Sequence, residues 1–326
     1  MSEPLVSIVI PTRNAGPGFA DVLAAIRAQE PAGLEVEIVV VDSGSTDGTL
    51  EVGRQFDARV ISISPQEFNH GETRNLGIRH SRGSLVGCLV QDARPANRGW
   101  LAPLVAALEG DTRVAGAYSR QLPWPKDDPL TQFLVGQWHQ VQGARRVCQA
   151  LPAPGTLADL PFGERRRVCT FDNVSSLLRR QAWEQYPFRP VRFAEDMDWA
   201  QRVLQAGLAL VYEPDSQVYH SHVRPFLYNL KRQYVDERII LDALAADGQA
   251  IRAWNSPRQV LGLVQRVLSA ARRQGALSPA LLRHLSSFSL AILLGSAGRR
   301  AVHPRLRSPR PPAWSQRADA WFLDGV

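Results

Sequence analysis

LVSIVIPTRN, residues 5–14, and EIVVVDSGSTDGT, residues 37–49, decide the fold. Val6 to Ile10 is a run of largely β-branched residues, the pattern of a strand covered on both faces. Pro11 ends it. Phe19, Val22, Leu23 and Ile26 then recur at helical spacing, so an amphipathic helix follows. Val36 to Val41 repeats the buried-strand pattern. Thr46 or Asp47 is placed to cap the next helix, whose inner side carries Leu50, Val52 and Phe56.

Outward from this pair the alternation continues. Arg59 to Ile63 reads as a third strand. Asn69 followed by Glu72 is a cap plus capping-box pattern opening a helix through about His80. Leu85 to Val90 is a fourth strand, Trp100 to Leu108 a helix and Val114 to Tyr118 a strand. Such βαβα order predicts an α/β fold with a doubly wound, mostly parallel sheet. The rhythm breaks at Pro123, and residues 123–167 are expected to form long irregular loops of the functional kind. Cys169 to Leu178 is extended, Glu195 to Ala206 helical up to Gly207, and Leu208 to Tyr212 a last strand. Pro225 to Ala246 is expected as a helix, residues 256–298 as two or three more, and the tail from Arg299 as loosely ordered. No internal repeat is present.

With 326 residues, 44% of them hydrophobic, the chain can bury a large core. The net charge of +7 is concentrated. Residues 1–250 carry 26 Lys and Arg against 29 Asp and Glu, whereas residues 251–326 carry 12 Arg against Asp319 and Asp324. A basic block of this kind suits an anionic membrane surface or an acidic partner, or is a solvated helical surface; a nucleic-acid partner is not expected. Cys88, Cys148 and Cys169, odd in number and without CxxC spacing, suggest reduced thiols and a cytoplasmic setting. Met1 to Pro4 leads straight into a strand, so no secretory leader is expected. Leu285 to Gly298, the most apolar stretch, reads as too short and serine-rich to span a bilayer.

Polar groups stand where the strands stop, and in an open parallel sheet ligands bind beyond those carboxyl ends. Pro11, Thr12, Arg13 and Asn14 follow the first strand without a GxGxxG, which argues against a dehydrogenase or methyltransferase. Asp42 and Ser43 close the second strand, where a carboxylate can accept from a ribose or base, or organise its own turn. Asp47 suits turn chemistry. Arg74 and Asn75 sit on the helix opened by Asn69, and an Arg there can pair with phosphate or a pyrimidine edge. Gln91 and Asp92 follow the fourth strand. Glu195 and Asp196 open a helix with Trp199 and Arg202 behind them; adjacent carboxylates diverge on a helix and cannot form one symmetric pair. His220 and His222 follow the last strand.

Taken in this order, with FNHGETRNLG (residues 68–77), LVQDARP (residues 89–95) and FAEDMDW (residues 193–199), the segments resemble the inverting family 2 glycosyltransferases of GT-A fold. Phe68-Asn69-His70-Gly71 is similar to their rhamnosyltransferase-like branch. The resemblance covers about residues 5–225 and implies a GT-A domain over 1–225, with a helical, basic extension over 226–326. It implies a nucleotide-sugar donor, a glycan or lipid-linked saccharide acceptor, and Asp196 as general base. It also implies a divalent cation, Mg²⁺ or Mn²⁺, at Asp92 and either His220 or His222, with His220 preferred. The family's Asp-x-Asp element is reduced here to Gln91-Asp92-Ala93. Pro11 to Asn14, Asp42, Ser43, Arg74, Asn75, Gln91, Asp92, Glu195 and Trp199 would then bind donor or nucleotide. Acceptor choice would lie with residues 123–170 and 225–250, where Trp124, Trp138 and His139 can meet a sugar. Two other classes stay open: a catalytically silent sugar-nucleotide scaffold, and a nucleotidyltransferase, for which Arg13 without a Gly cluster is a poor loop.

Overall fold

The structure is a computed structural model that describes residues 5–29, 35–142, 144–244 and 256–325. Its elements run β1 (Leu5–Thr12), α1 (Phe19–Arg27), β2 (Glu35–Asp42), α2 (Thr49–Gln55), β3 (Arg59–Ser62), α3 (His70–Arg79), β4 (Leu85–Leu89) and β5 (Arg94–Pro95). There follow α4 (Leu101–Glu109), β6 (Val114–Leu122), α5 (Pro129–Gln142), β7 (Val147–Gln149), α6 (Phe162–Val168), β8 (Ser175–Arg179) and α7 (Arg180–Gln185). The chain closes with α8 (Glu195–Gln205), β9 (Ala209–Tyr219), α9 (Phe226–Ala243), α10 (Pro257–Arg273), α11 (Pro279–Leu306) and α12 (Ala313–Leu323). The strands join in the order β3-β2-β1-β4-β8-β6-β9-β5, with β7 added on β9.

β1 is parallel to both β2 and β4, and β6 to β9. β8 is antiparallel to β4 and β6 alike, and the short β5 and β7 are antiparallel to β9. The alternation of side chains along β1 explains the layers. Val6, Ile8 and Ile10 point into a core shared with Phe19, Leu23 and Ile26 of α1 and Leu104 and Leu108 of α4. Each such buried aliphatic side chain contributes about 1.5–3 kcal/mol. Val9 faces the other way, towards α3. There a Cβ on Gly77 would lie 2.3 Å from Val9 Cγ1, so the helix rests almost directly on the strand.

The chain forms two units, residues 1–124 with 135–220, and residues 125–134 with 221–326. In the second, α9 packs on α11 so closely that a Cβ on Gly295 would meet Leu230 O at 2.5 Å. Arg299 and Glu237 form a fully buried ion pair at 2.9 Å, and Ser296 Oγ donates to the same carboxylate. Tyr234 stacks on Phe322 of α12 with centroids 3.9 Å apart and donates to Asp319. The tail expected to be loose is therefore helical to Leu306 and again over Ala313–Leu323. Arg299 is consumed inside the bundle, whereas Arg305, Arg307, Arg310 and Arg317 stay exposed.

Two other expectations change. The 123–167 stretch contains α5, β7 and α6. Leu285 to Gly298 is the middle of the 28-residue α11, which includes an 18-residue window of mean hydropathy 1.3, a third of it buried. By length and composition alone that window is sufficient to cross a membrane. All three cysteines are free.

Candidate active site

The strand order reverses between β1 and β4, and beyond the carboxyl ends at such a reversal is where an open α/β sheet binds ligands. Gln91 ties the two loops together: its Oε1 accepts from Arg13 N–H at 2.8 Å and its Nε2 donates to Arg13 O at 3.2 Å. Asn14, in the left-handed region at φ 46°, accepts from Thr46 N–H at 2.8 Å and donates its own N–H to Ser45 Oγ. Thr12 Oγ1 donates to Asp42 Oδ1 at 3.0 Å, and Ser43 Oγ donates to Thr12 O. Asp42 Oδ2 accepts from the N–H groups of Gly44 and Ser45 at 3.1 and 2.9 Å. Pro11 to Asn14, Asp42, Ser43 and Gln91 thus build one continuous wall. Asp42 is only 1% exposed, and its carboxylate is spent on holding its own turn.

Asp92 and His220 lie together, Oδ1 to Nε2 at 3.7 Å, each offering one ligand atom. His220 follows directly on β9, which runs seven residues past the expected end at Tyr212. A carboxylate oxygen with an imidazole nitrogen is a mixed hard and borderline donor set, which suits Mn²⁺ or Mg²⁺ completed by phosphate oxygens and water. His222, the alternative ligand, is two residues further along the chain, is exposed, and falls in the second unit. His220 Nδ1 is 2.8 Å from Gln121 Oε1, and Gln121 Nε2 donates to Asp172. Beside this pair, Trp124 stacks on Tyr219 at 5.2 Å, with the Arg94 guanidinium over both rings. Trp138 and His139 are on α5 with side chains outside the described residues, as are residues 245–250.

Asp196 opens α8 after Ala194, a non-glycine residue held at φ 58°. That strained position turns the chain sharply into the helix and aims its first carboxylates. Asp196 Oδ1 accepts from Met197 N–H at 2.7 Å, and Oδ2 faces Asn173 N–H at 3.4 Å. Burial, then the neighbouring Glu195 and Asp172 carboxylates, push its pKa up to about 8. Asp172 is likewise raised, chiefly by burial. Burial pushes Glu195 up as well, but Arg74 above all, then His70 and Asn173, outweigh it and keep Glu195 ionised. Two adjacent carboxylates are thereby held in opposite states, a pattern that separates a proton acceptor from a fixed charge.

Four expected donor-binding residues have other partners, Glu195 among them through its pair with Arg74. Arg74 is 4% exposed and pairs with Glu195 at 3.0 Å while donating to His70 O, so its charge is neutralised in place. Asn75 is buried, accepting from Trp183 Nε1 and Phe188 N–H and donating to Phe188 O. Trp199 is fully buried between Phe171 and Phe188, a core residue and not a lining one. Their spacing on a helix says nothing about which face meets a ligand. The Phe68 to Gly71 motif braces the approach to Asp196. Asn69 caps α3 and donates to Val191 O, and His70 lies edge-on to Phe68 and beside Phe193.

Asp172, Asn173 and Gln121 were not expected. Ligand-binding groups were expected at the carboxyl ends of strands, whereas Asp172 and Asn173 precede β8. That strand runs against its neighbours, so its beginning lies at the edge where theirs finish. The FDN triplet before SSLLR was the available signal. Gln121 sits at the end of β6, which was expected to stop at Tyr118.

The chain is similar to known proteins. The glycosyl transferase family 2 profile matches residues 7–151. The chain is 34% identical over 241 residues to the glycosyltransferase AglE of Haloferax volcanii, covering 71% of each chain. It is 29% identical over 226 residues to the O-antigen chain rhamnosyltransferase WbaN of Salmonella anatum, covering 67% of each. Among solved structures, the mannosyltransferase PcManGT of Pyrobaculum calidifontis, in complex with GDP-Man and Mn²⁺, superposes with a TM-score of 0.57 at 18% identity. That match covers 91% of this chain and 87% of the other and establishes the GT-A fold.

Proposed function

Since the chain belongs to glycosyl transferase family 2, we propose that it moves a hexose from a nucleoside diphosphate sugar to a hydroxyl of a glycan or lipid-linked saccharide. The donor is dTDP-L-rhamnose, a choice supported by the likeness to O-antigen rhamnosyltransferases and by the Phe68 to Gly71 motif. The observation that carries the proposal is the Asp196 carboxyl, raised to about 8 at the same sheet edge as the Asp92–His220 pair.

Asp196 is the general base of a single displacement with inversion. It takes the proton of the acceptor hydroxyl as that oxygen bonds to the anomeric carbon. The bond from that carbon to the diphosphate breaks on the opposite side, and its electron pair leaves with the phosphate oxygen. A base so placed contributes roughly 10² to 10⁴ in rate. Glu195, fixed by Arg74, holds the start of α8 and supplies the negative charge that keeps Asp196 basic. Asp92 and His220 would hold a divalent cation, which would offset negative charge on the departing diphosphate. Arg13, Asn14 and Gln91, braced by the buried Thr12, Asp42 and Ser43, face the nucleotide. Trp124, stacked on Tyr219, offers a ring face to the acceptor sugar. The protein works in the cytoplasm at an anionic membrane surface, to which residues 251–326 supply positive charge.

The test is a screen of dTDP-rhamnose, UDP-glucose, UDP-galactose and GDP-mannose for thermal stabilisation and turnover, with and without Mn²⁺. Stabilisation and transfer are expected with dTDP-rhamnose and Mn²⁺. Asp196→Asn should lose at least about 10² in kcat while still binding donor. Unchanged turnover in that variant removes Asp196 from the mechanism.

A further inference from the structure

Four side chains of the sheet unit form an unbroken line: Asp172, Gln121, His220 and Asp92. We propose that Gln121, aligned by Asp172, is a positioning residue that holds His220 in the tautomer whose Nε2 lone pair faces Asp92. The proposal rests on the reading that Asp92 and His220 hold a cation, and it adds the device that readies the histidine for it.

With Asp172 ionised, donor and acceptor chemistry sets the direction of every bond in the line. A glutamine amide has one accepting and one donating end, so fixing one end fixes the other. Asp172 Oδ1 accepts from Val174 N–H at 2.9 Å, and Oδ2 receives the Gln121 amide. Turning the amide over would set its oxygen against a carboxylate oxygen and its NH₂ against His220. With NH₂ on Asp172, Gln121 Oε1 must accept, and its 2.8 Å neighbour His220 Nδ1 must carry the hydrogen. In the neutral ring the lone pair then belongs to Nε2, the nitrogen 3.7 Å from Asp92.

Backbone pairing keeps the parts in place. Gln121 lies opposite Val218 in the β6–β9 ladder, and His220 N–H donates to Leu122 O at 2.9 Å. The amide and the imidazole are therefore carried by two strands locked in register. Outer partners of this kind orient a ligating histidine, and their removal typically lowers metal affinity 10- to 100-fold.

The experiment reads tautomers directly. Two-bond ¹H–¹⁵N correlations of ¹⁵N-histidine-labelled, metal-free protein at about pH 8, above the ordinary imidazole range, are recorded for wild type and Gln121→Leu. The His220 signals are assigned by their loss in His220→Gln. Mn²⁺ affinity without donor is measured on the same samples by electron paramagnetic resonance. Wild type should show His220 with hydrogen on Nδ1. Gln121→Leu should show mixed tautomers and a 10- to 100-fold weaker Mn²⁺ site. Gln121→Met, closer in shape, serves if the leucine variant fails to fold. Hydrogen on Nε2 in wild type overturns the proposal, as does a folded variant with unchanged tautomer and Mn²⁺ affinity. A wild type with the expected tautomer and no Mn²⁺ binding supports the positioning and overturns the cation site instead.

Discussion

Asp196 carries two linked pH dependences of opposite benefit. As a base it must be ionised, and its pKa near 8 makes it mostly protonated at neutrality. The expected kcat/KM therefore rises with pH, about tenfold per unit below that value, and levels above it. Stability runs the other way. The folded-state pKa is raised above the unfolded carboxylate value of about 4, so this group's contribution to stability is complete below that value. It is lost as pH climbs through about 8. Asp196→Asn removes the loss: the Tm difference between variant and wild type should grow from about pH 4 to pH 8, in the variant's favour. Melting curves across that range decide it, and a difference that does not change with pH would show Asp196 to be unstrained. The role proposed for this residue comes from family resemblance alone, because an Asp in the first turn of a helix also suits the helix dipole. Its perturbation comes from burial, Glu195 and Asp172, the last brought alongside by an antiparallel strand that pattern alone did not orient.

Helix α3 shows how an element can be placed correctly while the partners of its side chains stay unread. Asn69 as cap and a helix through about His80 follow from the sequence, and the structure has Asn69 Oδ1 accepting from Gly71 and Glu72 with the helix ending at Arg79. Capping is local chemistry, so it is readable locally. What Arg74 and Asn75 touch depends on α7 and α8, over a hundred residues away in the chain, and no spacing rule reaches that far. The glycines make the packing testable. A Cβ on Gly77 would lie 2.3 Å from Val9 Cγ1 and 3.0 Å from Val41 Cγ2, both on buried strands that cannot retreat. Gly77→Ala should cost roughly 1–3 kcal/mol from overpacking, despite alanine's better helix propensity. Denaturant unfolding of the variant measures this, and a stability gain would mean that α3 is free to lift off the sheet. Strand existence was similarly legible from β-branched runs, whereas strand direction was not, since β8 reads the same in either orientation.

Charge and apolar exposure in residues 251–326 converge on one prediction for the protein as an assembly with its surroundings. Those residues hold 12 Arg against two Asp, and Arg272, Arg273 and Arg283 are exposed. Leu282, Leu290 and Leu294 on α11 are all close to half-exposed, at multiples of four residues, so they share one stripe of the helix. Leu261 on α10 and Trp314 and Trp321 on α12 add exposed apolar area. The other side of α11 is committed inward: Arg299 pairs with Glu237, and His303 with Asp242 at 3.0 Å. Inserting this helix across a bilayer would strip the buried Arg299 of its Glu237 partner, at about 3–5 kcal/mol. Lying on an anionic surface keeps the pair. Each basic residue near such a surface contributes about 1 kcal/mol, so reversing two arginines (Arg272→Glu with Arg273→Glu) should weaken binding to anionic vesicles by roughly 30-fold or more. Cosedimentation should also weaken as salt shortens the screening length from about 10 Å at 0.1 M towards about 3 Å at 1 M. Wild-type protein that stays in the supernatant with anionic vesicles at low salt would leave the basic helices as a solvated surface only.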